Sequence, residues 1–127
     1  MRAGAGYNNI DCEGLKLRGI KVCNTPGRNS ESVSELALCM MIMGLRNVPQ
    51  SQYLVGSSGN NGVEPDNQGE LDKYVESNKK HYVGRELSRC EVGIIGLGHI
   101  GLNLKTKLMN LGISVEGYDP VIPTSLS

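Results

Sequence analysis

An α/β fold built on a parallel, doubly wound sheet is what this sequence predicts, and three observations carry the prediction. The first is an apolar run, Val92 to Ile95, that opens directly into Gly96, Gly98 and Gly101 with the spacing G-x-G-x-x-G. The second is the stretch behind those glycines, where Ile100, Leu104, Leu108 and Leu111 mark one helical stripe and Asn103, Lys105, Thr106, Lys107 and Asn110 fall largely on the other faces. The third is Asp119, roughly 20 residues past the last glycine and at the tip of a short alternating segment, Ile113 to Tyr118. Strand, glycine turn, helix, strand and terminal carboxylate, in that order, are the fingerprint of a Rossmann-type βαβ unit that binds a dinucleotide.

Each part of the fingerprint has a mechanical duty. Gly96 allows the tight turn off the strand, Gly98 lets the backbone approach a pyrophosphate, and Gly101 lets the helix pack closely on the sheet. The helix N-terminus at His99 and Ile100 aims free N–H groups and the positive end of its dipole at the phosphates, so no lysine is needed there. Gly112 ends the helix. Asp119 is placed to accept from a ribose diol, although Asp119-Pro120 is also ordinary turn chemistry.

Reading from the start, Met1 to Asn9 is glycine-rich and polar, Asp11 to Arg18 predicts a short helix ended by Gly19, and Ile20 to Cys23 predicts a short buried strand. Asn24 to Asn29 holds several breakers in a row and predicts a loop. Ser32, Val33, Ser34 and Glu35 match a capping box, with Asn29 or Ser30 equally able to serve as the cap. From Leu36 to Leu45 nearly every residue is apolar, which predicts a helix covered on several sides by its own fold or by a second subunit, with Met40, Met41 and Met43 filling gaps. Residues 56–69 are polar and predict a mobile surface loop. Leu71, Tyr74 and Val75 suggest a short helix ending near Lys80, His81 is expected in solvent, and Tyr82 to Leu87 leads into the strand at Val92.

Composition narrows the function classes. The 127 residues suit one ordinary domain, yet they include 17 Gly and no Trp or Phe, so large anchors for a core are scarce. Lys+Arg and Asp+Glu are 13 each, a formal net charge of +0, which leaves no electrostatic footprint for nucleic acid or an anionic membrane. The apolar stretch Leu36 to Leu45 is only about half of the ~20 residues that a membrane span requires. Cys12, Cys23, Cys39 and Cys90 lack C-x-x-C spacing, so neither a metal site nor a disulfide framework is expected, and a reducing, cytoplasmic setting fits best.

Taken together, the motifs resemble the D-isomer-specific 2-hydroxyacid dehydrogenase family, most closely its D-3-phosphoglycerate dehydrogenase branch. The resemblance runs over nearly the whole chain. It is carried by R-A-G-A-G-Y-N-N-I-D at Arg2 to Asp11, G-I-K-V-C-N-T-P-G-R-N-S at Gly19 to Ser30, S-E-L-A-L at Ser34 to Leu38, V-G-R-E-L at Val83 to Leu87, G-I-I-G-L-G-H-I-G at Gly93 to Gly101, and G-Y-D-P at Gly117 to Pro120. Arg89 and Cys90 depart from the Gly-Lys common in relatives, and Lys105 and Leu108 replace small helix residues, which puts the helix packing in question.

The resemblance implies NAD as cofactor and oxidation of a small D-2-hydroxy acid, 3-phosphoglycerate to 3-phosphohydroxypyruvate, the first step of serine synthesis from that precursor. It implies that Gly4, Ala5 and Gly6 offer backbone amides to the substrate carboxylate beside the nicotinamide, as suits a nest of N–H groups. Arg2 and Asn29 match positions used around the substrate's phosphate and carboxylate, and a guanidinium pairs well with either. Gly96, Gly98, His99, Ile100 and Gly101 would hold the pyrophosphate. Asp119 would grip the adenosine ribose and repel a 2′-phosphate, favouring NAD over NADP.

The resemblance also implies a domain plan. Residues 1–28 are expected to be the edge of a second, substrate domain, and 29–127 the N-terminal half of the NAD-binding domain, with 29–48 a linking helix and 92–119 the βαβ unit. The chain is expected to be a fragment cut at both ends, its family's catalytic Arg, Glu and His lying downstream of Ser127. On that expectation the isolated chain is inactive and marginally stable or aggregation-prone, and the full-length parent is a homo-oligomer. Two alternatives stay open: an NAD-sensing binding protein of the corepressor kind, and an incomplete or decayed gene product.

Overall fold

In the computed structural model, which describes residues 1–56 and 68–121, the apolar run before the glycines becomes strand β1 (Glu91–Ile95) and the alternating segment becomes β2 (Ser114–Tyr118). They pair in parallel, with Glu91 opposite Ser114 and Ile95 opposite Tyr118. A parallel pair needs a crossover. Here it is a helix, His99–Asn110, which packs on both strands. That helix covers one face of the sheet: Ile94 is buried and Val92, Val115 and Gly117 are partly so, whereas Glu91, Gly93, Ile95, Ser114, Glu116 and Tyr118 on the alternate positions are exposed. Among the described residues the sheet is therefore the start of a doubly wound arrangement, with two strands and one helical layer.

The other helices are α1 (Cys12–Leu17), α2 (Ser30–Leu45), α3 (Val48–Gly56) and α4 (Gln68–Asn78), which makes the crossover helix α5. By contact the chain divides into two compact units, one of Met1–Ala37 with Glu91–Ser127, the other of Leu38–Cys90. In the first unit Asp11 caps α1, its Oδ1 accepting from the Gly14 N–H at 2.9 Å, and Gly19 at φ +71° turns the chain off the helix. The core of this unit is Ile94, Leu97, Leu108 and Ile113. In the second unit, α2 continues from Leu38, Leu54 of α3 is buried, and α4 runs into a 3-10 turn at Lys79–Tyr82. Gly84 lies so close to the Leu45 carbonyl that a Cβ would stand 2.7 Å from Arg46 Cα, and the neighbouring Arg85 N–H donates to that carbonyl at 2.9 Å.

Several expectations need correction. Ile20 to Cys23 forms no strand, and Ile20, Lys21 and Cys23 are exposed. The Ile20 N–H turns back to Leu15 O at 2.9 Å, and toward the N-terminal loop stand Arg2 N–H to Cys23 O at 2.8 Å and, just beyond the segment, Thr25 N–H to Gly4 O at 3.0 Å, too few for a ladder. The capping box at Ser32 is not used, because α2 has already begun at Ser30. Its hydroxyls turn back onto carbonyls instead: Ser32 donates to Asn29 O and the fully buried Ser34 to Glu31 O. The chain's own fold covers Leu36 to Leu45 only in part, since Leu36, Met40, Ile42 and Met43 are exposed, which leaves the second-subunit alternative standing. Of the expected stripe Leu108 is buried and Leu104 half-buried, whereas Ile100 is exposed at the cleft and Leu111, which caps α5, is exposed as well. The loop expected over 56–69 lies, from 57 to 67, outside the described residues; Gly56 closes α3, while Gln68 and Gly69 open α4. His81 is exposed, as expected.

Candidate nucleotide-binding site

The three glycines after β1 each meet a different geometric demand. Gly96 sits at φ +96°, in the region a side chain rarely adopts, and turns the chain off the strand. Gly98 caps α5, and the side where a Cβ would stand faces open space. At Gly101 a Cβ would collide with the Gly96 carbonyl and reach 3.4 Å from Ile94 Cγ2, so only glycine allows α5 to lie this close to the strand. The first helical bond at this end is Leu102 N–H to Gly98 O at 2.9 Å, which leaves the amides of His99, Ile100 and Gly101 pointing out of the helix end.

Those amides border a cleft of about 320 Å³ lined by Gly96, Gly98, His99, Ile100 and Gly101 on one side and by Ala5, Pro26, Gly27 and Asn29 on the other. Of the expected cofactor residues the structure thus gathers all but Asp119 around one cavity, and it adds Asn29 from the expected substrate set. His99 is the lining's one titratable side chain; the rest is chiefly backbone and small apolar groups, a surface suited to an anion held by N–H groups. The cleft holds neither an acid–base pair nor a nucleophile. Among the described residues no group of three or more His, Cys, Asp or Glu could hold a metal.

Asp119 lies beyond the end of β2 with its carboxylate turned to the glycine turn. Oδ2 accepts from the Leu97 N–H at 2.8 Å and Oδ1 from the Val121 N–H at 2.9 Å. The second bond is the Asp-Pro turn chemistry that the sequence left open; the first is a link to the nucleotide loop that the sequence did not show.

The N-terminal loop is arranged less simply than its sequence suggests. The Gly4 N–H is taken by Thr25 Oγ1 at 2.8 Å, and the Ala5 carbonyl accepts from Asn24 Nδ2 at 2.8 Å. Gly4 itself has φ +153°. Arg2 is exposed, lies along this glycine loop and approaches Asn9 Oδ1 at 3.5 Å; it does not line the cleft.

Sequence reasoning missed two groups. The sequence assigns Pro26 and Gly27 no place in the site, yet Gly27 at φ +77° brings its backbone against the His99 ring, 3.1 Å from where a Cβ would stand. A Pro-Gly pair two residues before a helix was the available signal. The second group ties the start of α2 to α5: Asn103 Nδ2 donates to Ser30 Oγ at 3.0 Å, and the Lys107 ammonium pairs with the Glu31 carboxylate. No local pattern connects residues so distant in sequence.

Residues 1–122 match the family model described as D-isomer specific 2-hydroxyacid dehydrogenase, catalytic domain. The chain belongs to this family. It is 37% identical over 127 residues to the D-3-phosphoglycerate dehydrogenase of Homo sapiens, covering 99% of this chain and 20% of that protein. Among solved structures it resembles D-2-hydroxyisocaproate dehydrogenase, with TM-score 0.73, 28% identity and coverage of 94% of this chain and 32% of the other. It also resembles the NAD+-bound 3-phosphoglycerate dehydrogenase of Entamoeba histolytica, with TM-score 0.61, 32% identity and coverage of 94% and 30%. The chain spans about a fifth of the length of the curated relatives it matches. It carries part of this family's α/β fold, and among its described residues no helix is long and apolar enough to cross a membrane.

Proposed function

We propose that the cleft at the start of α5 binds the diphosphate of NAD, within an oxidoreductase acting on a D-2-hydroxy acid, with 3-phosphoglycerate as substrate. One observation carries this: the open side of Gly98, the outward amides of His99, Ile100 and Gly101, and the Ala5 and Asn29 wall converge on one cavity. The residues fit the cofactor, because a side chain at Gly98 would grow into open space that a phosphate needs, and because the cavity lining brings no carboxylate to repel one. When bound, NAD supplies the hydride acceptor.

In this reading Gly98, His99, Ile100 and Gly101 grip the diphosphate through main-chain N–H groups, while Gly96, whose own N–H donates to the Tyr118 carbonyl at 2.7 Å, serves by shaping the turn. Asp119 accepts from the adenosine ribose, since a carboxylate carries about four acceptor positions, and it repels a 2′-phosphate. Ala5 lies on the nicotinamide side. Arg2 and Asn29 serve the substrate's anionic groups, and Gly4 serves through the loop it shapes, because its own N–H is occupied by Thr25. Residues 1–28 belong, in this proposal, to the substrate domain and 29–127 to the NAD-binding domain.

Support for phosphoglycerate over other hydroxy acids comes from the curated relatives of that name, at 37% and 35% identity. Calorimetric titration of the 127-residue chain with NAD and with NADP tests the proposal. Saturable heat is expected with NAD, weaker binding with NADP, and loss of the NAD signal in Gly98→Val. Absence of NAD binding in a folded chain would overturn it.

A further inference from the structure

The carboxylate of Asp119 does more than wait for a sugar. Three successive residues at the end of β2 each fix one feature of the glycine turn. Gly117 has no Cβ because one would stand 2.8 Å from Leu97 Cδ2, so it seats the Leu97 side chain, which is 0% exposed. Tyr118 accepts from the Gly96 N–H through its carbonyl at 2.7 Å. Asp119 Oδ2 accepts from the Leu97 N–H at 2.8 Å. Leu97 stands between the first two glycines, so the course of its backbone decides where Gly98 and the amides of α5 begin.

We propose that Asp119 is a positioning residue for the diphosphate turn as well as a ligand for the ribose, holding Gly96 to Gly98 in place through the Leu97 N–H. A bond from an amide to an ionised carboxylate is roughly twice as strong as one between neutral groups, and a buried donor that loses it has nothing to replace it. Because the same carboxylate sets the choice between a 2′-hydroxyl and a 2′-phosphate, cofactor preference and diphosphate grip are coupled in this chain. Replacing Asp119 to admit NADP loosens the turn that every dinucleotide needs. The functional half of this inference rests on the NAD reading above; the link to Leu97 does not.

The test uses the ¹⁵N-labelled 127-residue chain as wild type, Asp119→Ala and Asp119→Asn, with inorganic pyrophosphate as a probe that has no ribose. Amide exchange at Leu97 is expected to speed up by about tenfold or more in the alanine variant, with the β1 amides unchanged, and to stay near wild type in the asparagine variant, whose side-chain oxygen can still accept. The pyrophosphate titration is expected to weaken in alanine and be rescued by asparagine. A role confined to the ribose predicts the opposite: no change at Leu97, and pyrophosphate binding unchanged or tighter once the negative charge is gone. Either result overturns the proposal, as does a wild type that shows no pyrophosphate shifts at Gly98 to Gly101. Should the alanine variant fail to fold, the wild type decides alone: its Leu97 amide is expected to be protected from exchange, and a Leu97 amide that exchanges at the rate of a free peptide overturns the proposal. A separate NAD titration distinguishes the two claims: no response refutes the cofactor reading while the Leu97 exchange result stands.

Discussion

The crossover unit β1–α5–β2 and the apolar helix α2 use much the same side chains and place them very differently. In the crossover unit Leu97 and Leu108 are 0% exposed, while in α2 Leu36 is 59% and Met40 63% exposed. The difference lies in arrangement. On α5 a narrow stripe, Gly101, Leu104 and Leu108, is covered beside the sheet face of Val92, Ile94 and Val115, while Ile100, Leu102 and Met109 are exposed. In α2 the apolar residues lie all round the helix, and no single surface can cover them. What lies buried on α2 is instead Ser30 and Ser34, near its start, where the helix is tied to α5 by Asn103 and Lys107.

The sharpest way to break this contrast is to remove the best-packed side chain of the crossover unit. Leu108→Ala is expected to cost about 2–5 kcal/mol of unfolding free energy, by loss of transfer energy and by the cavity it leaves. Chemical denaturation checks this; a cost under ~1 kcal/mol would show that α5 is no better packed than α2. The next effect is smaller and of another kind. Gly101→Ala fills no cavity but forces α5 off the Gly96 carbonyl, at about 1–3 kcal/mol, and it should weaken NAD binding as well because the helix end moves with it. Loss of stability without loss of binding would separate the helix packing from the cleft.

The same contrast explains what could be foreseen in the sequence. The parallel pair, the crossover, the turn at Gly96 and the close helix packing at Gly101 were legible because each depends on residues within one short window. Leu108, a departure from the small residue of relatives, raised doubt about packing, yet it is completely buried; the size of the space beneath a helix is not written in the helix. Ile20 to Cys23 had the composition of a strand but not the neighbours, and a strand exists only as a pair. The capping box at Ser32 was a sound local signal overridden by a helix that starts a few residues earlier. Gathering Ala5 and Asn29 opposite the glycine loop required the resemblance to a family, because no spacing rule relates residues about 70 to 90 positions apart. The bond from Asp119 to Leu97 was out of reach for another reason: a carboxylate at a strand tip has several N–H groups within range, and only the backbone path of the turn selects one.

The smallest expected effect is the one that sharpens the comparison most. Met40→Ser replaces an apolar side chain that is 63% exposed, so it should alter unfolding free energy by no more than about 0.5 kcal/mol, whereas the same loss of apolar surface at Leu108 is counted in several. The measurement is a pair of denaturation curves at two protein concentrations. Equal midpoints in wild type and variant at both concentrations mean that Met40 meets water in solution as it does in the structure. A larger cost that grows with concentration would mean that the face of α2 is covered by a second copy of the chain. The two regions would then differ only in where their partner surface comes from, within the chain for α5 and from outside it for α2.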